Sequence, residues 1–139
     1  MNPALKNTLA VIAGAVGGSI LNMSIIQAGG YIIPPPDGVD TTTMEGLSAG
    51  MHLFEPKHFL FPFLAHAGGT FAGALLCTVI ATTRKMQMAM IVSLLFLAGG
   101  ISSVFMLPSP LWYTITDLCL AYLPMGYLGA KIILNRQKS

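Results

Sequence analysis

Four stretches of the chain stay apolar for about twenty residues or more: 8–33, 58–83, 88–107 and 111–134. A helix needs about twenty apolar residues to cross a hydrocarbon core roughly 30 Å thick. Each stretch therefore predicts one transmembrane helix. Two connections are tight, one around Arg84 and Lys85 and one at Pro108–Ser109–Pro110. Short connections make consecutive helices antiparallel neighbours. The expected fold is all-α, a four-helix transmembrane bundle in one integral membrane domain covering 1–139.

Small and polar positions mark the faces that should turn inward. The first span carries Gly14, Gly18 and Asn22 at steps of four, and the second carries Pro62, His66, Gly69 and Gly73. Gly14…Gly18 and Gly69…Gly73 are GxxxG pairs, a spacing that lets backbones approach closely in lipid. Asn22 and His66 extend those faces, so both are expected to point into the bundle. The third span has Ser93, Gly99, Gly100 and Ser103 and no charge, as a packing helix would. The fourth has Asp117, Ala121, Met125 and Gly129 at steps of four. Pro124 lies among them and predicts a kink, because proline removes a backbone donor.

The one long connection, 34–57, has its own pattern. Its opening Pro34-Pro35-Pro36-Asp37-Gly38 predicts an extended stretch and then a turn. Thr42-x-x-Glu45 matches a capping box. Met44, Leu47, Met51 and Phe54 then form an apolar stripe, with Glu45, Ser48, His52 and Glu55 one position on. The pattern predicts a short amphipathic helix over about 43–54, ended by Pro56. It should lie flat on the outer membrane surface or over the mouth of the bundle.

Composition supports the membrane reading. The chain is 54% hydrophobic and 9% charged, whereas a soluble domain carries about a quarter charged residues. The first apolar run is far longer than the roughly 7–15 residues of a signal core, so it predicts a retained helix. Of the seven Lys and Arg, all but Lys57 fall on one side of the four-span arrangement, while Asp37, Asp40, Glu45 and Glu55 fall on the other. Lys and Arg excess marks the cytoplasmic side, which places both termini in the cytoplasm and the long loop outside. Small size and topology lead us to expect a bacterial inner-membrane protein. The net charge of +2 is a topology signal and calls for no nucleic acid. Cys77 and Cys119 should sit at levels differing by roughly 10 Å, too far for a disulfide, and both are expected as buried thiols. Tyr31, Trp112 and Tyr113 read as an aromatic belt at the outer interface.

Candidate chemistry gathers in the outer half. All three histidines, His52, His58 and His66, lie within the stretch 51–69. Asp117 is the only acid inside a span, and an acid at mid-helix costs about 2.5–3.5 kcal/mol on insertion scales. It must therefore be paired, protonated or facing water. No Lys or Arg shares its level, and His66 is the nearest imidazole by depth. An Asp117–His66 pair is expected, with Gln27 or Asn22 completing its hydrogen bonds and His52, Glu55 and His58 gating access from outside.

Three functions fit these residues. The preferred one is an outward-facing polar site that binds or conducts a small ligand, proton or cation. A second is an accessory or scaffold subunit of a larger membrane complex, with no site of its own. A third is a metal-dependent membrane enzyme taking its ligands from His52, Glu55, His58, His66 and Asp117, since histidine with carboxylate suits zinc or iron. Against the third, "HLFEPKH" is not HExxH and matches no metal-ligand spacing. No phosphate-binding loop or nucleophile elbow is present. No cofactor can be assigned. The expected partners are the bilayer and either copies of the same chain or a larger complex, because four helices packed on glycine leave little room for a pore.

Overall fold

The computed structural model describes all 139 residues and contains helices and no strand. In chain order they are α1 (Pro3–Ile32), α2 (Met44–Gly50), α3 (Leu60–Ile80), α4 (Lys85–Met106), α5 (Leu111–Leu120) and α6 (Leu123–Lys138). Single 3-10 turns at Met51–Leu53 and Pro56–Phe59 lead from α2 into α3. Four helical spans are long and apolar enough to cross a membrane: α1, Pro56–Ile80, α4 and the α5–α6 pair. The chain fits a polytopic membrane protein, and the all-α bundle expected from the hydropathy pattern is what forms.

α1 starts cleanly because Asn2 caps it, accepting from the Ala4 amide at 2.8 Å, and because Pro3 occupies a first-turn position where no N–H is needed. It packs most extensively on α3, through the two glycine pairs. A Cβ on Gly14 would stand 2.5 Å from the Gly73 carbonyl oxygen, and one on Gly18 would stand 2.5 Å from that of Gly69. The reverse distances, from Gly73 to Gly14 and from Gly69 to Gly18, are 2.6 and 2.8 Å. Only glycine permits such a backbone approach, so the GxxxG spacing here is a genuine interface.

The start of α1 is also tied to the turn after α3. Asn7 donates to the Thr83 carbonyl at 3.0 Å and to its hydroxyl at 2.9 Å, and accepts from the Thr82 amide at 3.0 Å. The turn closes through Arg84, whose φ of 48° is the one positive value at a non-glycine residue. Asn7→Ala should lower stability by about 1–3 kcal/mol, since it leaves a partly buried amide without its partner. Equilibrium unfolding in detergent checks this, and no loss would mean that water replaces the asparagine.

At the same end, Lys85 Nζ donates to Gln137 Oε1 at 3.0 Å. Both chain termini and the Thr82–Arg84 turn thus share one end of the bundle. α6 reaches α3 and α4 through two more glycines. Gly129 sits against the Phe71 carbonyl, and Gly126 sits against the Ser93 hydroxyl, where any Cβ would overlap.

The opposite end is covered by the long loop. Thr43 rather than Thr42 caps α2, its hydroxyl accepting from the Gly46 amide at 3.0 Å. Thr42 instead turns back on Asp40, giving it an amide bond at 2.9 Å and a hydroxyl bond at 2.6 Å. Those bonds, the hydroxyl first, hold the Asp40 carboxyl below the usual carboxylate range. Three of the four residues of the expected apolar stripe, Leu47, Met51 and Phe54, pack with Phe59, Phe63, Leu107 and Tyr113, while Met44 stays exposed. The short helix therefore caps the bundle.

Two further expectations, about Tyr113 and the thiols, are corrected by burial. Tyr113 is buried at 8% exposure, its ring 4.7 Å from that of Phe59. Only Tyr31 and Trp112 stay on the surface as an interfacial belt would. The other correction concerns the thiols: Cys77 is buried, as expected, but Cys119 is exposed on α5. A lipid-soluble maleimide should label the folded protein once per chain, and Cys119→Ser should abolish the labelling. Modification of Cys77 in the folded state would contradict the packing.

The fourth span is not a kinked helix but two helices. Pro124, at the second position of α6, has no N–H to offer the carbonyl four residues back. The chain breaks at Tyr122 (φ −113°, ψ −83°) and restarts at Leu123. This break decides the geometry of the site.

Candidate functional site

Asp117 and His66 meet as expected. His66 Nδ1 lies 2.8 Å from Asp117 Oδ1 and 3.0 Å from Oδ2. The carboxylate accepts, so Nδ1 carries the proton and Nε2 is left as the second functional atom of the ring. The side chains are 7% exposed for Asp117 and 21% for His66. The acid is thus enclosed and the imidazole reaches from it toward a cavity. Thr70 anchors the helix beneath, its hydroxyl donating to the His66 carbonyl at 2.7 Å.

The third member is Tyr122, whose hydroxyl donates to Asp117 Oδ2 at 2.9 Å. Its ring stacks on His66 with centroids 5.7 Å apart and planes 27° apart. Residues five apart in a regular helix project about 140° from each other, so an unbroken span would have pointed Tyr122 away from Asp117. The break before Pro124 turns it inward to 1% exposure. Gly100 makes room for it: any Cβ there would collide with the Tyr122 ring and hydroxyl.

His66 and Tyr122, with Asp117 behind them, form one wall of a cleft of about 310 Å³ between α1, α3, α4 and the break between α5 and α6, lined by Ser19, Asn22, His66, Phe96, Gly99 and Tyr122 among others. Its floor is the buried Gly100 and Tyr122, while its rim is the exposed Ser19, Leu95 and Gly99. The mouth therefore lies on the flank of the bundle, between α1 and α4, and not along the bundle axis. Asn22 lines this cleft, and its Oδ1 is buried without a hydrogen-bond partner. Tyr113 Oη, one helical turn before Asp117, is also buried without a partner.

The remaining sequence candidates lie elsewhere. Gln27 stands exposed on α1, outside the cleft lining. It does not complete the Asp117–His66 pair. Tyr122 does, and no pattern in the sequence singles it out, since it is one of four tyrosines in a register that a straight helix would turn away. The supposed gate is engaged locally. His52 Nδ1 donates to the Ala49 carbonyl at 2.9 Å, and His58 Nδ1 accepts from the Glu55 amide at 2.9 Å. Glu55 also pairs with Lys57 at 3.6 Å in an exposed position. Nowhere do three His, Cys, Asp or Glu side chains converge as metal ligands, so His52, Glu55, His58, His66 and Asp117 do not form one ligand set.

Comparison of the chain with protein-family models, curated proteins and solved structures finds no match.

Proposed function

We propose that this is a small polytopic membrane protein that binds a small ligand within the bilayer, at the cleft walled by His66, Tyr122 and Asn22. One observation carries the reading: a cleft of about 310 Å³ holds an imidazole aligned by a buried carboxylate and a buried amide oxygen that lacks a partner. Ligand pockets run from about 300 to 1,000 Å³ and orient their occupants with a few polar groups. An ionisable residue inside a span marks a functional site by default. Asp117 and Tyr122 position the imidazole, and Nε2 and Asn22 face the ligand. Binding is favoured over conduction because the polar groups end at a lateral cleft. The basic residues cluster at the end bearing both termini, which supports a cytoplasmic location for that end.

Gly99 supplies the test. It lines the cleft, and a Cβ there would meet nothing within 4 Å. Gly99→Phe should fill the cavity and leave the helix packing intact. Gly30→Phe is the control, because Gly30 also faces open space and lies outside the cleft lining. Thermal unfolding in nanodiscs is measured against monovalent cations, polyols, amines and lipid-soluble alcohols. At least one compound should raise the midpoint of wild type and Gly30→Phe but not of Gly99→Phe. A panel that never separates Gly99→Phe from the other two defeats the binding role.

A further inference from the structure

Beside the cleft runs an open, nearly flat apolar face of α1. The two share Ala15 and Ser19, and the face is otherwise formed by Val16, Ile20 and Met23. Polar groups are thus concentrated in the cleft, and apolar ones on the α1 face next to it. The rim of the cleft belongs to helix flanks that carry exposed Ile20, Met23, Leu94 and Leu95, the surface that hydrocarbon covers in a membrane.

The polar end is uncharged and hydrogen-bonding. Tyr122 spends its one hydroxyl proton on Asp117, and Ser103 spends its proton on the Gly99 carbonyl at 3.1 Å. His66 spends its Nδ1 proton on Asp117. What remains on the wall is an uncharged mixture: acceptors at the hydroxyl oxygens of Tyr122 and Ser103 and at Asn22 Oδ1, and donors at the Ser19 hydroxyl and Asn22 Nδ2. A hydroxyl, which both gives and takes a hydrogen bond, matches that mixture. No Lys or Arg lines the cleft or the face, so nothing there neutralises a phosphate or carboxylate. A charged amine would have to enter from hydrocarbon at a cost of several kcal/mol.

We infer that the ligand is an uncharged amphiphile dissolved in the bilayer, with a hydroxyl head that lies against His66 and donates to Asn22 Oδ1, and an apolar tail lying along Val16, Ile20 and Met23. This identification rests on the binding role proposed above. The lateral mouth sets the route of arrival, the uncharged polar wall sets the head group, and the apolar face of α1 sets the tail.

The probe is dodecanol carrying a diazirine in its chain, photolysed in nanodiscs with the full-length protein and mapped by peptide mass spectrometry. Its methyl ether and a carboxylate of the same chain length are run alongside. Adducts of the alcohol should concentrate on 15–23 and 95–103. They should fall about tenfold with the ether and with Asn22→Leu, the loss expected when a buried acceptor goes without its donor. Gly99→Phe should remove them. Equal labelling by ether and alcohol overturns the hydroxyl recognition, and stronger labelling by the carboxylate overturns the uncharged head. Adducts spread evenly over all spans overturn the site. A water-soluble compound that shows the Gly99-dependent thermal shift while dodecanol does not would overturn this identification and leave the binding role standing.

Discussion

Asp117→Ala should destabilise the bundle by about 2–6 kcal/mol, because two buried donors each lose their acceptor at about 1–3 kcal/mol apiece. The carboxylate accepts from both His66 and Tyr122, and no other acceptor is placed to replace it. Its loss strands an imidazole N–H and a phenol O–H in a site that water reaches only through the cleft. Asp117→Asn keeps one oxygen in place and should cost less, about 1–2 kcal/mol, because one of the two bonds survives. Tyr122→Phe removes only one donor and should fall near the same value. Equilibrium unfolding in mixed micelles ranks the three. Ordinary interhelical hydrogen bonds in membranes average about 0.6 kcal/mol. A loss of that size for Asp117→Ala would show that the cluster is simple helix glue, and the positioned imidazole would lose its support.

Gly18→Leu is the second large effect, and here two terms oppose each other. Replacing a helical glycine gains about 1 kcal/mol in propensity. Overpacking costs typically 1–3 kcal/mol and occasionally more. At Gly18 the obstacle is the Gly69 carbonyl oxygen at 2.5 Å and the Phe96 ring at 2.8 Å. A carbonyl in the middle of a helix cannot swing aside as a side chain can, so the clash wins and α1 must separate from α3. Net destabilisation of about 2 kcal/mol or more is expected, by the same unfolding measurement. Separation also carries Asn22 away from His66, so ligand binding should vanish with stability. Gly14→Ala and Gly73→Ala press on the same contact, where Cβ atoms would stand 2.5 and 2.6 Å from opposing carbonyls. Once one has moved α1, the second should cost little. Their effects should therefore fall short of additive, as expected for residues sharing a contact. Gly30→Ala, with nothing within 4 Å, should be neutral or slightly stabilising. If Gly18→Leu proves as stable as wild type, the α1–α3 packing is wrong.

Much of the site was legible in the chain because the bilayer makes polar groups conspicuous. Asp117 and His66 could be paired from depth alone, since each is expensive in hydrocarbon and no Lys or Arg competes at that level. Asn22 could be placed because it extends a glycine face. Gln27 could not be assigned the same way. It sits near the outer end of α1, where exposure is cheap, and depth says nothing about azimuth. The surface trio His52, Glu55 and His58 could be placed outside the spans, but not their contacts: His52 bonds the Ala49 carbonyl, His58 the Glu55 amide, and Glu55 pairs with Lys57.

The sequence by itself determined that this is an all-helical chain with four spans, which helix faces are small enough to touch and which acid needs a partner. Those properties follow from length, period and the cost of charge in lipid, all readable one residue at a time. Only the tertiary structure decided that Tyr122 completes the acid's hydrogen bonds and that the cleft opens sideways. Both depend on the angle at which the chain resumes after it breaks at Tyr122 and on how α1 and α4 pack against α3. Such angles are set by the packing of all the helices at once.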